Sequence, residues 1–149
     1  MRPRANEKRI GKDMKDVYIR GAREDASQVA WLEEALEKRG FSCFTVPKCL
    51  DPSRRYAEQI REVLETCPAF VVISSNASRK DVDVLNEVEH ACTLGRHVWA
   101  FETELVPMEG GGCFLFGERT RRYAAYRDRE QAVEDMAAHL RALMVGERR

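Results

Sequence analysis

The sequence predicts an α/β domain built on a mostly parallel five-stranded sheet with helices on both faces. Three observations carry that prediction. Short runs of β-formers alternate with stretches of helical spacing about five times, the signature of strand–helix–strand units. Ala69–Ser74 is a continuous apolar run, typical of a strand buried on both faces of a parallel sheet. The 149 residues fit one domain with one core.

The elements follow in chain order. Residues 1–15 carry six basic and two acidic side chains with no periodicity, and they read as a flexible basic leader ahead of a domain at 16–145 and a tail at 146–149. Val17-Tyr18-Ile19 is a short strand signal, followed by a polar turn over 20–25. A helix is expected next, with Asp25 or Ser27 near its cap, Val29, Leu32 and Leu36 on one face, and Gly40 at its end. Residues 41–46 alternate β-formers, and Pro47 and Pro52 bracket a loop. Tyr56, Ile60, Val63, Leu64 and Cys67 recur at helical spacing. After the apolar run, a polar loop over 75–80 leads to a helix over 81–94 closed by Gly95. Residues 97–101 form a fourth strand, 102–112 a loop with a triple glycine, 123–126 a short edge strand, and 130–144 a last amphipathic helix.

Composition excludes several classes. Lys+Arg number 25 and Asp+Glu 25, so the basic surplus of a general nucleic-acid binder is missing. At 44% hydrophobic and 34% charged, the chain is too apolar for disorder and too polar for a membrane protein. No apolar run approaches the roughly 18 residues of a membrane span, and with Met1–Lys15 basic and no apolar stretch behind it no signal peptide is expected. A cytoplasmic domain is expected, without membrane or direct nucleic-acid contact. Five cysteines at wide spacings (Cys43, Cys49, Cys67, Cys92, Cys113) contain no CxxC, and His90, His97 and His139 do not pair at metal spacing. The expectation is reduced, mostly buried thiols and no metal.

Ligands of such sheets bind beyond the carboxyl ends of the strands, which directs attention to the loops at 20–25, 47–55, 75–80 and 102–112. Neither GxGxxG nor GxxxxGK[ST] follows the first strand, and GxSxG is absent. A phosphorelay receiver is excluded because the first strand ends in Arg20-Gly21 and the third in Ser74-Ser75, where acids would be required. The helix from Asp81 is more informative. At 100° per residue, Val84, Leu85, Val88, Ala91, Cys92 and Leu94 form one apolar arc, and Glu87 falls inside it while Glu89 lies beyond its edge. A carboxylate on a core-facing arc loses solvation unless paired, so Glu87 is either a functional acid or a structural one that snorkels out to solvent or joins an arginine of a neighbouring element.

The residues that carry a family resemblance occur in order. Asp16-Val17-Tyr18-Ile19 resembles the D-V-F-I-S opening strand of Toll/interleukin-receptor (TIR) domains. Arg39-Gly40-Phe41-Ser42-Cys43-Phe44 running into Pro47-Lys48 is similar to their second strand and BB loop. Tyr56-Ala57-Glu58-Gln59-Ile60 looks like the start of their second helix. Phe70-Val71-Val72-Ile73-Ser74 is similar to the third strand, and Asn86-Glu87-Val88-Glu89-His90-Ala91 to the [RN]-E-V-x-x-A helix. The resemblance spans roughly 16–144 and is nearest to bacterial members. It implies a flavodoxin-like three-layer fold.

In function the resemblance implies an NAD nucleosidase releasing nicotinamide and linear or cyclic ADP-ribose, with NAD as substrate and no separate cofactor. Glu87 matches the essential acid of the enzymatic members. Arg20, Gly21 and Arg23 match the loop that contacts the dinucleotide, Tyr56 an aromatic near the ribose or base, and Lys48 the BB loop, where assembly contacts are the other reading. Departures from the pattern are Arg20 for the usual Ser, Cys49 for an acid, Ser53 for a loop Gly, and Asp83 for an aromatic four residues before the Glu. Implied partners are further copies through TIR–TIR contacts and a fused or separate nucleotide-sensing domain, in a bacterial antiviral defence system. Two alternatives stand beside this reading: a non-catalytic adaptor of the same fold, and a transferase acting on free nucleosides.

Overall fold

Alternation along the strands determines how this chain builds two cores on one sheet. The computed structural model describes residues 14–105 and 120–148, with side chains through residue 146. Five strands are present among the described residues: β1 (Val17–Arg20), β2 (Cys43–Phe44), β3 (Ala69–Ser74), β4 (His97–Glu102) and β5 (Arg122–Tyr123). All pair in parallel in the order β2-β1-β3-β4-β5, with Val17 opposite Ala69 and Ala69 opposite His97. The helices are α1 (Ala26–Glu37), α2 (Tyr56–Thr66), α3 (Asn76–Arg79), α4 (Val82–Thr93) and α5 (Arg129–Arg148). The topology is the expected three-layer flavodoxin-like α/β arrangement. Its strand order reverses between β1 and β3.

Successive strand residues point to opposite faces. Val17, Ile19, Val71, Ile73, Trp99 and Phe101 face one way and pack with Leu32 and Leu36 of α1 and Val133, Met136 and Leu140 of α5. Tyr18, Phe70, Val72 and Val98 face the other way and meet Ile60 and Leu64 of α2 with Val84, Val88 and Ala91 of α4. The same alternation places Arg20 on the face of Tyr18, toward α2 and α4.

Helix ends follow from local chemistry. α1 and α4 both end in Schellman motifs: Phe41 N–H reaches Leu36 C=O and Arg96 N–H reaches Ala91 C=O, each past a glycine of positive φ (Gly40 +93°, Gly95 +74°). Asp81 caps α4 by accepting from the N–H groups of Asp83 and Val84.

Four expectations need correction. The turn at 75–80 contains a one-turn helix, because Ser75 Oγ accepts from Ser78 N–H and Ser78 Oγ receives the Ser75 N–H in return. β2 is two residues long, since after Phe44 the chain folds into turns (Cys49 N–H to Thr45 C=O, Leu50 N–H to Pro47 C=O) and leaves the sheet. β5 ends at Tyr123, where Tyr126 N–H turns back to Glu102 C=O. The last helix runs on to Arg148, through residues assigned to a tail. Cys43 and Cys67 are buried, but Cys92 is exposed on α4. Residues 1–13 of the leader expected at 1–15, most of the glycine-rich loop and Cys113 lie outside the described residues.

Gly21 follows β1 where the chain runs close to three neighbouring side chains. A Cβ there would lie 3.0 Å from Asp25 Cβ, 3.1 Å from Val29 Cγ2 and 3.2 Å from Ile73 Cβ. All three are atoms of buried or half-buried side chains with little room to retreat. Gly21→Ala should therefore destabilise the fold by about 1–3 kcal/mol through overpacking, read as a lower denaturant midpoint at unchanged slope; an unchanged midpoint refutes the packing argument.

Candidate active site

The site is assembled from two helices that cover one face of the sheet. From α2 come Tyr56, Ala57, Ile60, Arg61 and Leu64, and from α4 come Asp83, Asn86, Glu87 and His90. Each set follows the three-to-four-residue spacing of a single helical stripe. Between them lies a groove of about 300 Å³.

Glu87 is the chemical centre of this groove. It belongs to the buried stripe of α4 with Val84, Val88 and Ala91, and only 8% of it is exposed. Glu89, two residues on, is exposed. The helical wheel places Glu87 inward and Glu89 outward as expected, but the buried arc is narrower than the spacing suggests: Cys92 and Leu94 are exposed and Leu85 is half-buried. The buried carboxylate is paired, as its desolvation requires. Oε1 accepts the Tyr18 hydroxyl at 2.6 Å and Arg20 Nε at 3.2 Å. Oε2 accepts the Tyr56 hydroxyl at 2.7 Å. The two tyrosine contacts fall in the range of charge-assisted O–H···O⁻ bonds, whereas the arginine contact is at the long end for N–H···O.

These donors come from elements with very different freedom. Tyr18 is fully buried at the middle of β1, stacked on Phe70 with ring centroids 4.8 Å apart and edge-on to Phe44 at 5.5 Å. Arg20 ends β1 and anchors a second nitrogen, Nη1, on Gly21 C=O at 2.8 Å. Tyr56 opens α2 and is 43% exposed. One turn later, Gln59 holds the backbone of α2 to the preceding loop. Gln59 Oε1 accepts Asp51 N–H at 2.8 Å, and its Nε2 donates to the carbonyls of Asp51 at 2.9 Å and Arg54 at 3.1 Å. The loop after β2 is thereby laced to the helix that carries Tyr56.

Electrostatics keep all three donors as donors. Burial and the adjoining Glu87 carboxylate push the Tyr18 hydroxyl well above the ordinary tyrosine range. The same two causes raise Tyr56. For Arg20, burial alone works downward, but the Glu87 charge and the two phenols outweigh it and the guanidinium is held more firmly protonated.

The other residues singled out in the sequence are distributed differently. Arg23 is exposed on a short 3-10 turn (Arg23–Asp25), and Gly21 is buried with its missing Cβ directed at Asp25 and Ile73. Lys48 donates to Glu33 of α1 at 2.9 Å, which fastens the loop after β2 to the opposite helix layer. The loops after β1 and β3 are stitched together, since Asp25 accepts Ser75 Oγ at 2.8 Å and Ala22 N–H at 3.2 Å. Asp25 therefore does not cap α1 with its side chain. The described groove lies between the helices, beside the loops expected to carry function. Tyr18, Gln59, Asn86 and His90 were missed. Tyr18 had a readable signal: a phenol two residues before Arg20 shares its face, and a buried Tyr hydroxyl needs an acceptor.

This arrangement defines a class. A 2-1-3-4-5 parallel sheet carries one buried acid on the helix after the third strand's loop, facing a groove. A family model described as TIR domain matches residues 17–143, and the chain belongs to the TIR-domain family. Among solved structures it is similar to the TIR domain of the Toll-related receptor TRR-2 from Hydra magnipapillata, at 21% identity and TM-score 0.70, covering 85% of this chain and 98% of that one. It is also similar to the heterodimer of the RPS4 and RRS1 TIR domains (16%, TM-score 0.56, covering 85% and 96%). A third is the TIR domains of the activated Roq1 resistosome recognising the pathogen effector XopQ (20%, TM-score 0.56, covering 87% and 82%). No curated protein matches the chain. Among the described residues no helix is long and apolar enough to cross a membrane, and no group of three or more His, Cys, Asp or Glu is placed to hold a metal ion.

The raised phenols generate a pH prediction. An unfolded chain releases tyrosine protons at about pH 10, whereas folded Tyr18 and Tyr56 hold theirs to higher pH. The folded state thus keeps its full advantage below that value and loses it progressively above. Thermal unfolding between pH 9 and 11 should show the wild-type midpoint falling more steeply than that of Tyr18→Phe; parallel curves would contradict the assignment.

Proposed function

We propose that this TIR domain, of bacterial type, cleaves the bond between nicotinamide and ribose in NAD, with Glu87 as the catalytic carboxylate. The observation that carries the reading is a carboxylate 8% exposed, yet lining a groove of about 300 Å³ between α2 and α4. In the reaction the C1′–N bond breaks and both electrons pass to the ring nitrogen, so the pyridinium leaves as neutral nicotinamide and needs no acid. The demand on the protein is to face the oxocarbenium-like ribose with negative charge and orient its hydroxyls. Glu87 meets both demands. Water then adds to C1′, gives its proton to the carboxylate and leaves ADP-ribose; attack by a group of the substrate itself closes a cyclic product. Asp83 about one turn before Glu87, Asn86 beside it on the same helix, and Tyr56 opposite bring polar groups to the same space.

Arg20 enters this reading through Glu87, to which it is bonded; Arg23 and Gly21 remain proposed contacts for the dinucleotide, and Lys48 for the dinucleotide or for assembly. Self-association is proposed as the condition for activity. Its support is that TIR domains of related fold were solved as a heterodimer and within an activated resistosome. A cytoplasmic effector role in antiviral defence, joined to a nucleotide-sensing domain, rests on the family resemblance. The second reading is a non-catalytic TIR interaction domain. One observation favours it: in the free domain every oxygen of Glu87 already has a donor.

Concentrated protein incubated with NAD should release nicotinamide, with specific activity rising as protein concentration rises. Glu87→Gln, which keeps the shape and removes the charge, should lower the rate by about 10²–10⁴-fold. Release of nicotinamide at an undiminished rate in that variant removes Glu87 from the chemistry, and no release by the wild type at any concentration leaves the interaction domain.

A further inference from the structure

The groove and the protein interior share one carboxylate, and they share it unequally. Oε1 of Glu87 faces Tyr18 and Arg20, neither of which lines the groove. Oε2 faces Tyr56, which does. Tyr18 is locked between Phe44 and Phe70, and Arg20 is tied down a second time by Gly21 C=O. Moving either would open a void or strand a buried donor. Tyr56 is the first residue of its helix and 43% exposed, so its ring swings aside at little packing cost.

Resting on the NAD-cleaving reading, we propose that the two oxygens of Glu87 do different work. Oε1 is the anchor, held by Tyr18 and Arg20 as positioning residues. Oε2 is the working oxygen, and the Tyr56 hydroxyl is a plug that occupies it until a ribose hydroxyl replaces it. The exchange is like for like: an O–H donor to a carboxylate oxygen leaves and another arrives, so the buried charge is never without a partner on that side. Sugar-bearing ligands with a free hydroxyl beside the anomeric carbon are the class that fits, and the hydroxyl of Tyr56 sets the threshold they must overcome. The burial of Tyr18 and the fixed protonation of Arg20 keep the anchor intact during the exchange.

The test separates plug from anchor. Carba-NAD, in which a methylene replaces the ribose ring oxygen, keeps the hydroxyls and cannot be cleaved. It is titrated by calorimetry into the concentrated full chain as wild type, Tyr56→Phe and Tyr18→Phe, alongside steady-state kinetics with NAD. Tyr56→Phe keeps the ring and removes the competing donor, so it should bind carba-NAD about three- to tenfold tighter and lower KM for NAD by a similar factor. Tyr18→Phe should bind within about twofold of wild type and lose kcat instead, with folding checked by its melting curve. Equal or weaker binding by Tyr56→Phe overturns the plug while leaving NAD cleavage standing. Tighter binding with no cleavage of NAD by the wild type upholds the plug and removes the catalytic reading. Failure of all three proteins to bind carba-NAD sinks both.

Discussion

A charge taken out of water must be met by partners, and in this domain that requirement falls on Glu87. Its side chain points from α4 toward the sheet, where solvent is almost absent, and the stabilisation it loses is restored by two phenols and a guanidinium. Those donors come from β1 and α2, so one carboxylate ties together three elements that are far apart in sequence. The contacts to Tyr18, Arg20 and Tyr56 span 69, 67 and 31 residues. The groove exists because α2 and α4 meet the sheet on either side of this junction and leave the space above it uncovered.

Around the junction, the rest of the molecule restricts movement. Gln59 binds the loop after β2 to the helix of Tyr56, and Lys48 binds the same loop to α1 on the opposite layer. Asp25 and Ser75 join the loops after β1 and β3, the position at which a reversal of strand order commonly leaves a ligand crevice. Burial raises the pKa of Asp25, and its accepted hydrogen bonds oppose that rise without cancelling it. The groove that holds the polar centre lies to the side of these loops, between α2 and α4. The departures from the family pattern noted in the sequence take on a common meaning here. Arg20 replaces a small polar residue and reaches the acid itself, and the position four before Glu87 is Asp83, which places a second carboxylate on the groove wall.

Much of this was legible in the chain. The buried run of β3, the two glycine-closed helices and the apolar arc of α4 are local patterns, and each is set by backbone and burial preferences that act over a few residues. That is why the five-strand order of elements and the inward position of Glu87 followed from spacing alone. Arg20 and Tyr56 were also singled out, but for contacts with a ligand. What spacing left undecided was which side chain each of them meets. The short β2 and the one-turn helix at 76–79 were missed for a related reason: they depend on turn hydrogen bonds such as Cys49 N–H to Thr45 C=O and on the reciprocal serines 75 and 78, whose choice between loop and helix is set by what lies across from them.

The amino-acid sequence by itself determined the layers, the faces of each helix and the presence of an acid on a core-facing stripe, because periods of 2 and 3.6 residues convert directly into sides of a strand or helix. Only the tertiary structure decided that this acid would sit under two phenols and a guanidinium with one oxygen turned to a groove. Parallel strands distant in sequence must first pair in register before Tyr18 and Arg20 of β1 come beneath α4, and no local preference encodes that meeting.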